Sequence, residues 1–158
     1  MTQIFILTAF LILTVYIVIH AGKFGIRESL SASYYDTKGW FQLALGSAGF
    51  LMTVSLLNMT EGKWYQFLSF FATSALIFVA FAPDYKNILE GKVHVAAAMI
   101  SAIAALALIV LMGYWYVPVL PFLASVFIIR KWGNKTYWLE MACFASIYIL
   151  TLLEYIIH

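Results

Sequence analysis

A few titratable and hydroxyl side chains of this chain could carry chemistry, because the sequence around them is strongly apolar. The candidate catalytic residues are Ser29, Ser31, Asp84, His94 and Glu140. His94 could act as a general base, oriented by Asp84 or Glu140, with a serine as nucleophile. The same chemistry could hold a metal ion. The candidate ligands are His20, Asp84, His94 and Glu140. No diagnostic spacing selects one of these sites, so the sequence names no cofactor.

Each candidate also has a structural interpretation. His94 could form a hydrogen bond to a neighbouring helix, and Glu140 could pair with a nearby lysine or with a loop amide. Ser29 and Ser31 could cap or bend a loop. Asp84, in Pro-Asp-Tyr, is typical of a turn.

The segment 25–39, GIRESLSASYYDTKG, gathers much of the polar chemistry between two apolar runs. Asp36 or Thr37 is expected to cap the N-terminus of the helix that follows. Arg27 and Glu28 are expected to form an exposed pair that contributes little. His20, at the end of the first apolar run, is expected to reach toward the interface.

The composition indicates a protein that is solvated by lipid. The 158 residues are 65% hydrophobic and 10% charged, with a mean hydropathy of +0.96. A soluble domain carries about 45–50% apolar and about 25% charged residues. A net charge of +2 without a basic stripe gives no footprint for phosphate groups, so we expect no nucleic-acid partner.

Six apolar runs predict the elements that position the candidate residues. Each run should be a helix, because backbone groups in hydrocarbon must be paired within their own segment. The predicted spans are 3–20, 40–58, 65–83, 93–113, 115–130 and 136–157. The expected fold is therefore all-α, a single six-helix transmembrane bundle over 1–158. The fifth span is short and contains Pro118 and Pro121, which predict an irregular start.

The distribution of Lys and Arg predicts the orientation. Six crossings place segments 21–39, 84–92 and 130–135 on one side, together with eight of the nine basic residues; the other side holds only Lys63. The basic side should be cytoplasmic. We therefore expect a multi-pass protein of the inner (plasma) membrane with both termini outside the cytoplasm. The candidate residues then gather near the cytoplasmic face.

Small residues predict close packing between helices. Gly46 and Gly49 lie three apart in the second run, and small residues recur at helical spacing in the fourth. In lipid, close backbone approach replaces the hydrophobic drive between helices.

Three segments carry a resemblance to known proteins: ESLSASYYDTKGWFQ, FVAFAPDYKN and LEGKVHVAAA. Their order and spacing resemble a group of small multi-helix bacterial membrane proteins without an established activity. The resemblance covers about residues 25–105.

A more distant likeness is to the CREST membrane hydrolases, the group of the alkaline ceramidases. That likeness implies a zinc site for amide hydrolysis, in which Ser29 or Ser31, Asp84 and His94 would stand for family residues. CREST members have seven helices and a late HxxxH motif. This chain has six predicted spans and no such motif, and Glu154 and His158, four apart, are its only late substitute.

Three functions remain open on the sequence. The first is binding of a lipid or small apolar ligand, or service as an accessory subunit, with membrane lipids or a membrane protein as partner. The second is a CREST-like hydrolase of a lipid amide or ester. The third is transport of a proton or small solute through His94 and Glu140.

Overall fold

The computed structural model describes residues 2–84 and 86–157, and every regular element in these ranges is helical. Seven α-helices lie within them: α1 (Thr2–Phe24), α2 (Tyr34–Thr37), α3 (Gly39–Met59), α4 (Gln66–Phe81), α5 (Ile88–Leu111), α6 (Val119–Trp132) and α7 (Lys135–Ile157). A 3₁₀ turn, Ser31–Ser33, precedes α2. The six longer helices fall on the six apolar runs, so the predicted all-α class is confirmed.

Local sequence explains several helix ends. Gly25 and Gly133 follow α1 and α6 with φ of 78° and 75°, and each N–H bonds back to the preceding helix. Glycine adopts this left-handed conformation at little cost. Asn87 caps α5 by accepting a hydrogen bond from Leu89 N at 3.0 Å. Pro118 lies directly before α6. The fifth apolar run therefore begins with an irregular turn that ends at Pro118, as predicted.

Four of the helices are long and apolar enough to cross a membrane. They cover Ile4–Phe24, Gly39–Met59, Ile88–Leu111 and Lys135–Ile157. Helices α4 and α6 have 16 and 14 residues. At about 1.5 Å per residue they span about 24 Å and 21 Å, less than a hydrocarbon core of about 30 Å.

Five helices form a ring in which each contacts the next, in the order α1, α3, α4, α5, α7 and back to α1. Helix α6 packs against α7. The aromatic side chains of Phe10 on α1 and Tyr148 on α7 have centroids 4.5 Å apart. At the other end of α7, Tyr137 N bonds to Glu28 O, which lies beyond the end of α1. Helices α1 and α7 are therefore antiparallel, and the start of α1 lies at the same end of the ring as the end of α7.

Small residues bring α3 and α5 close to α4. A Cβ added to Gly49 would lie 3.2 Å from Ile77 Cγ1, and one added to Gly46 would lie 3.4 Å from the Phe81 ring. Ser101 of α5 donates a hydrogen bond to Ala72 O of α4 at 2.6 Å. These contacts confirm the predicted close packing through small residues.

Candidate functional site

The polar connection 25–38 folds over one end of the ring and is bonded to α7 and to Asn134, the residue before α7. Leu30 N donates to Glu140 Oε2 at 2.6 Å. Tyr137 N donates to Glu28 O at 3.1 Å. Asn134 Nδ2 donates to Ile26 O at 3.3 Å. The interpretation of Glu140 as the partner of a loop amide is thus confirmed.

Ser31 and His94 meet at this end of the ring. Ser31 Oγ lies 2.9 Å from His94 Nε2, and His94 Nδ1 lies 2.9 Å from Ala82 O, just beyond α4. Both side chains are buried, with 6% and 5% of their surface exposed. The 3₁₀ turn positions the serine and the first turns of α5 position the histidine, so two sequence candidates come together.

Ser29 has a different role from Ser31. Its Oγ accepts a hydrogen bond from Ala32 N at 3.0 Å, which confirms its interpretation as a residue that bends the loop. Ser29 therefore lies beside the Ser31–His94 pair and shapes the turn that carries Ser31.

Asp84 belongs to a separate contact with Tyr35. The Tyr35 hydroxyl donates to Asp84 Oδ1 at 2.8 Å and accepts from Lys86 N at 3.1 Å. The Lys86 ammonium lies 4.3 Å from the centre of the Tyr35 ring. Burial, and then the bond to Asp84, raise the pKa of Tyr35 above its usual value. The orienting partner of His94 is the Ala82 carbonyl, whereas Asp84 bonds to Tyr35.

His20 and Asp36 form a third contact, and it corrects two expectations. Asp36 accepts both prongs of the Arg27 guanidinium, at 2.8 Å and 2.6 Å, and bonds to His20 Nε2 at 2.9 Å. His20 is 5% exposed, so it does not reach to the interface. The residue before α3 is Lys38, without a side-chain cap, so neither Asp36 nor Thr37 is the predicted N-cap.

The ion pair favours the ionised form of Asp36. The hydrogen bond from Arg27 is the main cause that lowers the pKa of this carboxyl below its usual value, with His20 adding to it. Arg27 therefore pairs with Asp36 instead of forming the expected pair with Glu28.

Two tyrosines that take part in this network are missing from the sequence candidates. One is Tyr35, described above. The other is Tyr16, whose hydroxyl lies 2.7 Å from Ser33 Oγ and 2.8 Å from Thr37 Oγ1. Tyr16 and His20 are four residues apart on α1 and their rings stack. This i, i+4 spacing is the sequence signal that could have added Tyr16 to the candidates.

The candidate metal ligands are divided among these separate contacts. Within residues 2–84 and 86–157, no three His, Cys, Asp or Glu side chains are close enough to hold a metal ion. The residues therefore do not fit the zinc site that the CREST likeness implies. The Glu154–His158 pair cannot be placed, since His158 lies outside the described residues.

A cavity of about 730 Å³ lies inside the ring, between α3, α4, α5, α7 and the 25–38 connection. We call one part of its lining the polar end: Glu28, Ser29, Ser31, His94, Thr136 and Glu140. The remaining wall is mainly aliphatic and continues along α5 to Ala105. His94 and Ala105 are eleven residues apart, which corresponds to about 16 Å of helix.

The two hydroxyl groups along the apolar wall are already bonded to helix carbonyls. Thr73 donates to Ser69 O at 2.8 Å, and Ser101 donates to Ala72 O at 2.6 Å. The deeper part of the cavity thus presents mainly carbon to an occupant.

The cavity opens sideways between α5 and α7. Val95, Met99 and Leu139 line it, yet they are 54%, 58% and 41% exposed. They come from α5 and α7, which contact each other less extensively than α4 and α5 do. An opening with apolar rims on the outer face of the helices suits entry from lipid.

Comparison with protein families, curated proteins and solved structures finds no match for this chain. The geometry of the ring and its cavity is therefore the basis for assigning a function.

Proposed function

We propose that this protein is a six-span membrane protein that binds the hydrocarbon tail of an amphipathic lipid in the ring cavity. The observation that carries the proposal is the shape of the cavity, which is apolar along about 16 Å and polar at one end. Its volume of about 730 Å³ falls within the range of small-molecule sites, about 300–1,000 Å³. Membrane lipids are accordingly the proposed partners.

The six-span arrangement adds α4 and α6 to the four long apolar helices. Helix α4 lies within the ring between α3 and α5, and α6 packs along α7, so both share the layer of the long helices. The end of the ring at which the polar end of the cavity lies also holds eight of the nine Lys and Arg residues, in its helix ends and connections. The positive-inside rule then makes it the cytoplasmic end of a multi-pass plasma-membrane protein, with both termini outside.

The polar end favours a neutral or cationic headgroup. Its described side chains include the carboxyl groups of Glu28 and Glu140, and no lysine or arginine lies among the described residues that line the cavity. An anionic headgroup would meet the like charge of Glu28, which disfavours binding. Hydroxyl and ammonium headgroups can donate hydrogen bonds to the carboxyl oxygens of Glu28 and Glu140.

Three amphiphiles that share a twelve-carbon tail test both tail and headgroup: dodecanol, dodecylammonium and dodecanoate. Native mass spectrometry of the protein released from detergent micelles counts the bound molecules. We expect one bound dodecanol or dodecylammonium per chain, and at least about tenfold weaker binding of dodecanoate, equal to about 1.4 kcal/mol.

A matched pair of variants on α5 provides the control. Ala102→Trp fills the cavity wall and should abolish binding, whereas Ile103→Trp, on a side chain that is 63% exposed, should leave binding unchanged. Equal binding by both variants, or no bound amphiphile in the wild type, would contradict the proposal.

The transport hypothesis has less support in the described residues. The polar groups of the cavity gather at one end, and the wall beyond them is mainly apolar. A path for a proton or small solute needs polar partners through the whole layer.

A further inference from the structure

We propose that Ser31 and His94 form a nucleophile–base pair that hydrolyses a single-chain acyl ester held in the cavity. This inference rests on the proposed function, because the cavity must first bind the acyl chain. It requires no metal ion, and so it differs from the zinc chemistry that the CREST likeness implies.

The first argument is the tautomer of the histidine. A backbone carbonyl can only accept, so His94 Nδ1 carries the hydrogen that bonds to Ala82 O at 2.9 Å. His94 Nε2 then presents its lone pair, and Ser31 Oγ, at 2.9 Å, donates its hydroxyl hydrogen to it. A base that accepts the proton of a nucleophile, and is oriented through its other nitrogen, has the required arrangement.

The second argument is the position of the pair. Ser31 and His94 both line the polar end, where the apolar wall begins. A fatty acyl chain that fills the apolar part would place its ester carbonyl at this boundary. The alcohol portion of the ester would then lie toward Glu28 and Thr136.

Ser29 is placed to stabilise the charge that develops on the carbonyl oxygen. Its Oγ accepts from Ala32 N, so its hydroxyl hydrogen can be donated elsewhere, and the side chain lines the same polar end. One such donor stabilises a developing oxyanion. Ser29 would thus serve as the oxyanion donor beside the nucleophile.

The reaction balances with water as the only co-reactant. Ser31 Oγ attacks the ester carbonyl carbon while its proton passes to His94 Nε2. The bond to the alkoxy oxygen breaks, and His94 returns the proton to the leaving alcohol. Water, deprotonated by His94, then attacks the acyl-serine, and the fatty acid leaves as Ser31 recovers its proton.

Two probes test this activity on the full chain in detergent micelles. The first is hydrolysis of p-nitrophenyl dodecanoate. The second is dodecyl fluorophosphonate, whose phosphorus is attacked by an activated serine with loss of fluoride. We expect the wild type to turn over the ester and to carry the phosphonate on Ser31, located by peptide mass spectrometry.

Variants separate catalysis from folding. Ser31→Ala and His94→Ala should each lose about 10²–10⁴-fold in rate, the contribution expected of a positioned base and its nucleophile. Ser33→Ala is the matched control. It removes a hydroxyl group from the same 3₁₀ turn, but one that bonds to Tyr16. This variant should keep the wild-type rate of ester hydrolysis per folded molecule. Adduct mapping on the wild type decides the case if a variant does not fold.

The two proposals can fail separately. Dodecanol binding without turnover or a Ser31 adduct would overturn the catalytic pair and leave the binding proposal intact. An adduct on another serine, or a Ser31→Ala rate equal to that of the wild type, would also overturn it. Failure of all three amphiphiles to bind would remove the basis of both.

Discussion

At the scale of single residues, Asp36 joins the end of α1 to the connection that follows it. It bonds to His20 on α1 and to Arg27 beyond its end. Asp36 is the hydrogen-bond partner of Nε2 of the buried His20, and an unsatisfied buried donor or acceptor costs about 1–3 kcal/mol. Asp36 therefore matters for the position of the whole 25–38 connection.

Asp36→Ala is expected to lower the free energy of unfolding at pH 7 by about 1–3 kcal/mol, because His20 loses its partner. Since folding lowers the pKa of Asp36, its contribution is present above its unfolded value of about 3.9. It is lost as the pH falls through the lower, folded pKa. Thermal unfolding in detergent between pH 3 and 7, followed by tryptophan fluorescence, measures both effects.

Glu61→Ala is the control, since Glu61 is an exposed carboxylate in the α3–α4 connection at the other end of the ring. It should leave the melting temperature and its acid dependence close to those of the wild type. An Asp36→Ala protein that melts with the wild type at every pH would show that the network adds nothing to stability.

At the scale of elements, the contact between α3 and α4 depends on the absence of a side chain at Gly49. A substituted Cβ would lie 3.2 Å from Ile77 Cγ1 and 3.7 Å from Thr73 O, which is backbone. Ile77 would have to shift by a few tenths of an ångström to admit a Cβ, and a side chain longer than Cβ would have to enter space that Leu76, Ile77 and the Thr73 carbonyl already occupy.

Gly49→Leu is therefore expected to destabilise the protein by about 1–3 kcal/mol, through overpacking. Gly22→Leu is its matched control, because an added Cβ there meets no heavy atom within 4 Å and leucine favours a helix over glycine by up to about 1 kcal/mol. Thermal unfolding of both variants checks the difference, and a Gly49→Leu protein as stable as Gly22→Leu would refute the packing argument.

The sequence predicted the elements better than their contacts. Apolar runs and proline positions located the six longer helices, because in lipid the backbone must pair within each segment. Partner choice among polar side chains depends on how the connection folds, and no local pattern encodes that fold. This is why Asp36 was expected at a helix N-terminus and Asp84 beside His94, whereas the structure gives them Arg27 and Tyr35 as partners.

In the candidate site, too, the sequence predicted which residues share one end of the bundle but not the groups that complete the site. Counting crossings brought Ser31 and His94 to one end of the bundle, and 63 residues separate them in the chain. The tautomer-fixing carbonyl of Ala82 and the cavity have no sequence signal, since one is a main-chain group and the other is space left between helices.

At the scale of the whole molecule, the charge asymmetry and the folded connections make one end of the ring distinct. Lys38 lies just before α3, and Lys131 lies near the end of α6. Asn134, just beyond α6, bonds to the 25–38 connection. Lys63 follows α3, whose 21 residues extend about 31 Å. The proposed six crossings would therefore place Lys38 and Lys131 on one face of the membrane and Lys63 on the other.

Single-cysteine variants test this topology in a Cys143→Ala background, which removes the native thiol. A membrane-impermeant maleimide applied to intact cells is expected to label Lys63→Cys and to spare Lys38→Cys and Lys131→Cys. All three should react once the membrane is permeabilised. This variant is the most informative of the three, because α6 has only 14 residues. External labelling of Lys131→Cys would mean that α6 does not cross the membrane. The bonds that join Asn134, Tyr137 and Glu140 to the 25–38 connection could then not form across the membrane, so this outcome would overturn the ring and its cavity as well as the six-span bundle.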